Sequence, residues 1–489
     1  MGKKILAKRV LIAAAGSGSG KTTVTCALLL ALKNKGLEPV AYKCGPDYID
    51  PLFHKKVAGV ESRNLDVFFA KDQGVRSVLS ECGDRYAVLE GVMGLYDGQS
   101  PEGIQGSCYE IAALTRTPVI VIVDASGIGR TVISLIRGLL TDDGEHLIKG
   151  IVLNKISEHF YEKLKPVLGK ELSDIRDDVR LLGFFPKDAS VALESRYLGL
   201  KLPWEVEGVC EKAERAATLL SEHADLEGIL SVMEAAPALD VKEEAEAGGQ
   251  PGADGEGLPG GHTPEDGTAL RVTPPLTLAV ALDDAFCFYY RENLEQFARR
   301  GVRIRYFSPL TDQGLPEGTD GILLGGGYPE NHLEALSKNR TTRDAIRESI
   351  LAGIPALAEC GGFMYLHRAI TDVSGNRYEM AGAFDAECSY AGHLVHFGYL
   401  KITDVKEPFA SDGLMKSLVG MKGHEFHYFE STKNGDAFRA AGPSGERARN
   451  CMIALKNGLF GFPHFYYASD PAFIDAFILR MQEMRRTRS

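Results

Sequence analysis

Two stretches of the chain carry reactive residue types at spacings that chemistry can use. The first is Ala15-Gly16-Ser17-Gly18-Ser19-Gly20-Lys21-Thr22-Thr23, which follows the apolar run VLIAAA (10–15) and opens a helix-like stretch over Lys21–Lys33. Glycines let successive backbone N–H groups curl around phosphate oxygens, and the start of a helix adds the positive end of its dipole. Lys21 brings a cation, and the Thr22 hydroxyl suits Mg²⁺. The spacing matches G-x-x-x-x-G-K-[ST], with Ala15 in place of the first glycine. Gly16, Ser17, Gly18, Ser19, Gly20, Lys21, Thr22 and Thr23 therefore read as an ATP phosphate site. Asn154, closing the run GIVLN (150–154), is assigned to the same nucleotide site.

The second stretch is PALAECGGFMYL (355–366), which sets Cys360 on a sharp turn between a strand and a helix. Small residues let such a turn tighten and present the side chain, and the following amides favour thiolate, the arrangement of a nucleophile elbow. A cysteine nucleophile needs a base, and His393, His396, His424, His427 and His464 are the candidates. It also needs oxyanion donors, and Gly325-Gly326-Gly327 offers unhindered amides at another strand end. In GHEFHY (423–428), His424, Glu425 and His427 are ordinary zinc ligands, but the spacing is not H-E-x-x-H and the alternation is that of a strand. A structural or site-shaping role is expected there.

Elements must bring these residues together. VLIAAA (10–15), YAVLE (86–90), PVIVIVDA (118–125) and GIVLN (150–154) are near-continuous apolar runs, as in parallel strands covered on both faces. Helical patterns between them give βαβ logic and a doubly wound sheet. After Pro186 the pattern turns helical over Trp204–His223 and Leu226–Met233. LTLAVAL (276–282), VRIRYF (302–307), GILLGG (321–326) and PALAE (355–359) repeat the alternation, so a second α/β domain is expected, with shorter β-like runs beyond Gly382. Ligands in open α/β sheets collect at the carboxyl ends of strands. That topology should gather Asp47 and Asp50 of KCGPDYIDP, Glu90 at the end of YAVLE, Asp97 and Asp124 around the phosphate site.

Composition sets the outer bounds. The 489 residues include 44% hydrophobic and 25% charged ones, ordinary for a globular chain. The net charge of −11 supplies no global field for nucleic acid, and none is expected as a partner. The nine cysteines contain no C-x-x-C pair, against a zinc module or disulfide framework; those other than Cys360 read as buried packing residues. The apolar run after Lys3, Lys4, Lys8 and Arg9 is too short for a membrane span, so a cytoplasmic location is expected. From Gly248 to Gly267 there are eight glycines and three prolines, composition that cannot offset its ordering entropy. The expected division is 1–235, a linker over 236–275, and 276–489. The charged end Arg480–Arg488 reads as a solvated helix.

Taken in order, KCGPDYIDP (43–51), LEGVMGLYDG (89–98), LESRYLGL (193–200), AFCFYYRENLE (285–295), LLGGGYPE (323–330), AECGGFMYL (358–366) and GHEFHY resemble the blocks of the cobyrinic acid a,c-diamide synthases of cobalamin biosynthesis. The resemblance covers nearly the whole chain outside the linker. It implies an ATP-dependent synthetase domain similar to dethiobiotin synthetase, joined to a triad-type, class I glutamine amidotransferase domain, each doubly wound. It implies Cys360 as glutaminase nucleophile and His464, in GFPHFYYASDP, as its base, with Gly326, Gly327 and Gly361 serving the oxyanion. Lys43, Asp47, Asp50, Glu90 and Asp97 fall on the synthetase site, with Thr22, Asp47 and Glu90 toward Mg²⁺. Other triad amidotransferases place a Glu two residues after this His; Tyr466 stands there instead, so a Cys360–His464 pair without the usual third member is expected.

The implied substrates are ATP, L-glutamine and cobyrinic acid or a related tetrapyrrole, with a homodimer allowed. Related amidases act on sirohydrochlorin, nickel-sirohydrochlorin and sirohaem, and no residue decides the macrocycle. A regulatory P-loop ATPase with an inactive second domain is the alternative of a different class. Arg130, Lys155 and Arg196 are candidates for a basic cleft that receives substrate carboxylates.

Overall fold

A computed structural model describes residues 3–193, 195, 196, 199–241 and 275–488. The chain forms two compact units, 1–244 and 245–489. Residues 242–274, which include most of the expected linker, lie outside the described residues.

The first unit is built on seven parallel strands. Across the sheet they run Ser62–Leu65, Pro39–Cys44, Tyr86–Glu90, Lys8–Ala14, Val119–Asp124, Ile148–Ile156 and Arg180–Pro186. The strand Lys8–Ala14 lies inside the sheet, and the chain winds outward from it in both directions, which makes its carboxyl end a switch point. Val119, Ile120, Val121, Ile122 and Val123 are fully buried, the apolar continuity that a strand covered on both faces requires. Helix Lys21–Asn34 follows the carboxyl end of strand Lys8–Ala14. Of the expected Trp204–His223 helix, Pro203–Glu205 is a single tight turn and the α-helix is Val209–His223; the next runs Leu226–Glu234.

The second unit has a central sheet ordered Arg303–Phe307, Thr277–Ala281, Thr319–Leu324, Ala356–Glu359, Gly458–Gly461 and Ile453–Leu455. The first five are parallel and the last is antiparallel. Beyond Gly382 the chain contributes to two further sheets. One joins Arg449–Cys451, Phe438–Ala441, His396–Val405, Lys422–His427 and His464–Phe465, all antiparallel; the other joins Arg377–Glu379, Ala369–Thr371, Glu387–Tyr390 and Phe429–Ser431. The closing helix Pro471–Arg488 is only partly solvated, because Arg485 and Arg488 both ion-pair with the buried Asp320.

Candidate active sites

In the first unit the phosphate loop turns through Gly18 at φ 74° and Gly20 at φ 90°, conformations that disfavour a side chain. Ser19 Oγ donates to the Gly16 carbonyl at 2.9 Å, and Asn154 Nδ2 donates to the Ser19 carbonyl at 2.7 Å, tying the loop to a neighbouring strand. Lys21 Nζ donates to Gly16 O at 3.0 Å and Met93 O at 2.6 Å. Burial, then the neighbouring Lys43, lowers the pKa of Lys21.

Thr22 carries the centre of the site. Its hydroxyl lies 2.7 Å from Glu90 Oε1 and 3.1 Å from Asp50 Oδ1. Lys43 Nζ reaches Asp50 Oδ2 at 2.5 Å, Glu90 Oε1 at 3.3 Å and Gly91 O at 2.8 Å. Burial alone would raise Glu90, but Lys43 and His54 overcome it and hold the carboxyl below its usual range. Burial raises Asp50, and the charges of Asp47 and Glu90 add to that, against the opposing pull of Lys43. The set thus holds more carboxylate than its lysine balances, and all its oxygen donors are hard. Mg²⁺ takes one or two carboxylates together with substrate phosphates, so Thr22, Asp50 and Glu90 fit such an ion.

Asp47 does something else. Its Oδ1 accepts from the amides of Ile49 (2.8 Å) and Asp50 (3.1 Å), shaping the start of helix Ile49–Ala58. The structure therefore brings Asp50, rather than Asp47, onto the Thr22 hydroxyl. Asp97 accepts from Gly94 N at 2.7 Å and shapes the loop after Glu90. Asp124 accepts from Lys155 Nζ at 2.6 Å, and the same ammonium donates to Gly18 O at 2.8 Å, so Lys155 braces the phosphate loop rather than lining an open cleft. Arg130 is exposed and lies 3.4 Å from Glu171; the side chain of Arg196 is outside the described residues. His54 was not foreseen. Fully buried, it sets Nε2 2.7 Å from Glu90 Oε2 and Nδ1 3.0 Å from Ser62 Oγ. Its place four residues after Asp50, on the same helix face, was the available signal.

In the second unit Cys360 sits between strand Ala356–Glu359 and the helical turn Gly361–Tyr365 with φ 46° and ψ −105°, a strained backbone for a non-glycine residue. Its amide donates to Gly461 O at 2.8 Å. Burial pushes the thiol pKa up, as do Glu330 and Glu425, while the Gly361 amide opposes them. The resting thiol is neutral. Among the candidate bases, His464 stands on a two-residue strand paired with His424, and the two rings stack at 5.0 Å. Burial, then His424 and His427, holds His464 well below the ordinary histidine value, so its imidazole rests neutral.

The glycines pack tightly around this ring. A Cβ on Gly326 would lie 2.2 Å from His464 Cε1, and one on Gly361 would lie 3.1 Å from Gly327 N. Gly326, Gly327, Gly361 and His464 are thus gathered beside Cys360. The amide of Gly325 is not free for an oxyanion, since it donates to Tyr289 OH at 2.8 Å. Glu425 pairs with Arg449 and lies 3.9 Å from His427, whose ring stacks on Phe462 at 3.8 Å. His396 faces His427 at 5.6 Å, whereas His393 is tied to the Ala391 carbonyl at 2.9 Å. No group of three or more His, Cys, Asp or Glu side chains suited to a metal occurs among the described residues. The remaining cysteines are buried apart from the half-buried Cys210. No helix among the described residues is long and apolar enough to cross a membrane.

Residues 10–198 match the family model of the CobQ/CobB/MinD/ParA nucleotide binding domain, and 277–460 that of the CobB/CobQ-like glutamine amidotransferase domain. A cobyrinate a,c-diamide synthase of Caldanaerobacter subterraneus subsp. tengcongensis is 34% identical over 460 residues, 93% of this chain and 94% of the relative. One from Listeria monocytogenes is 36% identical over 436 residues, covering 87% and 88%. One from Picrophilus torridus is 32% identical over 472 residues, covering 96% and 98%. With both domains matched and full-length relatives at this identity, the chain belongs to the cobyrinate a,c-diamide synthase family.

Proposed function

We propose that this chain amidates the a and c carboxylates of cobyrinic acid with ATP and with ammonia released from glutamine. The observation that carries the reading is the presence in one chain of a phosphate loop whose Thr22 meets Asp50 and Glu90, and of a strained Cys360 beside a neutral His464.

In the glutaminase half, Cys360 Sγ attacks the carboxamide carbon of glutamine as His464 takes the thiol proton. The N–H groups of Gly326, Gly327 and Gly361 receive the developing oxyanion. His464 returns the proton to the leaving nitrogen, ammonia departs, and water cleaves the thioester. In the synthetase half, Lys21 and the amides of Gly16–Thr23 hold the ATP phosphates. The substrate carboxylate, a poor electrophile, attacks the γ-phosphorus to give an acyl phosphate and ADP; ammonia then displaces phosphate and leaves the amide. Thr22, with Asp50 and Glu90, would hold Mg²⁺, which would supply charge neutralisation at the phosphates. Lys43 and His54 keep Glu90 ionised and aimed, and Lys43 reaches across to Asp50.

Mass spectrometry of cobyrinic acid and, in parallel, sirohydrochlorin after incubation with protein, glutamine and MgATP tests this. Two OH-to-NH₂ exchanges on cobyrinate are expected. A Cys360→Ala chain should lose them with glutamine and keep them with ammonia. Product from sirohydrochlorin alone would assign a different macrocycle, and no amide from either would return the reading to a regulatory ATPase.

A further inference from the structure

Tyr466 occupies the position where other triad amidotransferases carry the glutamate that orients their histidine. Its amide donates to Lys422 O at 2.9 Å, and its ring packs edge-on against Tyr290 at 5.5 Å, so it supplies no carboxylate. The segment bearing His464 is also short, a two-residue strand followed by a tight turn at Tyr467–Ser469, with little lattice of its own. Yet it is held from two sides by buried side chains. Glu359 Oε1 accepts from Tyr467 OH at 2.7 Å and from Phe465 N at 3.3 Å. Asn293 Nδ2 donates to Phe465 O at 2.7 Å, and Asn293 Oδ1 accepts from Tyr467 N at 2.7 Å. Glu359, Asn293 and Tyr467 are 6%, 4% and 1% exposed, so none of these bonds competes with bulk water.

We propose that Glu359 and Asn293 are positioning residues that clamp Phe465 and Tyr467 and thereby fix His464 relative to Cys360. This rests on the reading of Cys360 and His464 as the glutaminase pair. Glu359 is the residue immediately before the nucleophile, so one side chain ties the strand that delivers Cys360 to the segment that delivers its base. The backbone at Cys360 is itself tied, its amide donating to Gly461 O at 2.8 Å. The His464 ring is already confined between His424 and Gly326. What the clamp adds is control of the separation between that ring and the thiol, the variable on which proton transfer depends.

The clamp needs an accepting oxygen at Glu359, not a negative charge, and this separates it from a conventional third triad member. Glutamine hydrolysis is measured for Glu359→Ala, Glu359→Gln and Asn293→Ala, alongside ammonia-driven amidation, which bypasses the second unit. The alanine variants are expected to lose about 100-fold in kcat, the cost of misplacing a reacting group by about an ångström, with KM for glutamine little changed and ammonia-driven amidation intact. Glu359→Gln keeps the accepting oxygen, and it should recover most of kcat with an unaltered pH profile. Full kcat in Glu359→Ala overturns the proposal. So does equal loss in Gln and Ala, which would make the charge the active feature, or a loss confined to KM. If thermal unfolding shows that the alanine variants do not fold, Tyr467→Phe, which removes only the hydroxyl, decides: a reduced kcat is expected, and an unchanged one overturns the clamp. Glutaminase activity surviving in Cys360→Ala would instead sink the underlying reading, independently of these results.

Discussion

Glu90 and Glu359 are both enclosed carboxyls, and their protonation is driven in opposite directions. Desolvation raises both, but Glu90 has the Lys43 ammonium and His54 against it, while Glu359 has only the neutral donors Tyr467 OH and Phe465 N and is pushed up to about 8. Because the folded value lies above the ordinary 4.5, folded Glu359 keeps its proton between those limits and the unfolded chain loses it. Its contribution to stability is therefore complete below about pH 4.5 and disappears as pH rises toward 8. Relative to Glu359→Gln, the unmodified second unit should weaken by a few kcal/mol across that window, on the order of 1.4 kcal/mol for each pH step of one between the two limits. Hydrogen exchange at Ala356–Glu359, compared between the two chains at each pH, reads this unit alone; a constant difference would mean that Glu359 does not titrate there. Gly326 makes a second prediction at this scale. A methyl group placed 2.2 Å from His464 Cε1 must displace the ring, so Gly326→Ala should cost glutamine hydrolysis at least about tenfold while sparing ammonia-driven amidation. Steady-state rates with the two nitrogen donors check it.

The phosphate loop shows what a connecting element demands of its residues. Gly16 would accept a Cβ without meeting any atom, whereas Gly20 combines φ 90° with a Cβ position 2.3 Å from Asn154 Nδ2. Gly20→Ala should pay about 1–2 kcal/mol for the left-handed backbone and push away the Asn154 bond that ties the loop down, weakening ATP binding at least about tenfold. Calorimetric titration with ATP checks this, with Gly36→Ala, in an open turn at φ 77°, as the matched control. The same elements show what a single sequence reveals. Strands enclosed on both faces, such as Val119–Asp124, announce themselves as apolar runs. Ser62–Leu65 hid at the sheet edge because Arg63 and Asn64 break its apolar pattern. His396–Val405 was blurred by a register shift between Ile402 and Asp404, which interrupts its alternation. Phosphate loop and nucleophile elbow were legible because their chemistry lies in consecutive residues. Glu359, Asn293 and Tyr467 were not, since their meaning arises from bonds across more than a hundred residues of chain.

At the level of the molecule, the two proposed chemistries have different needs and fall to separate units of one chain, each at the carboxyl ends of parallel strands. In the proposed mechanism the glutaminase site makes ammonia, a small neutral nucleophile that the solvent protonates, and the synthetase site makes an acyl phosphate, which water destroys. Joining the sites covalently raises the effective concentration of ammonia where the acyl phosphate forms, provided it does not equilibrate with the bulk first. This can be separated from simple co-production by splitting the two activities between chains. A Lys21→Ala chain should retain Cys360 and His464 but fail at phosphoryl transfer, since its phosphate site loses the one cation in the loop; a Cys360→Ala chain should retain phosphoryl transfer and lack ammonia. Mixed at low concentration with glutamine and MgATP, the pair should form far less amide than the unmodified protein at the same site concentration. The rate should climb only as the mixture is concentrated or ammonia is added. Equal rates in the dilute mixture and the unmodified chain would show that ammonia passes through bulk solvent, and that joining the two sites in one chain gives no kinetic advantage.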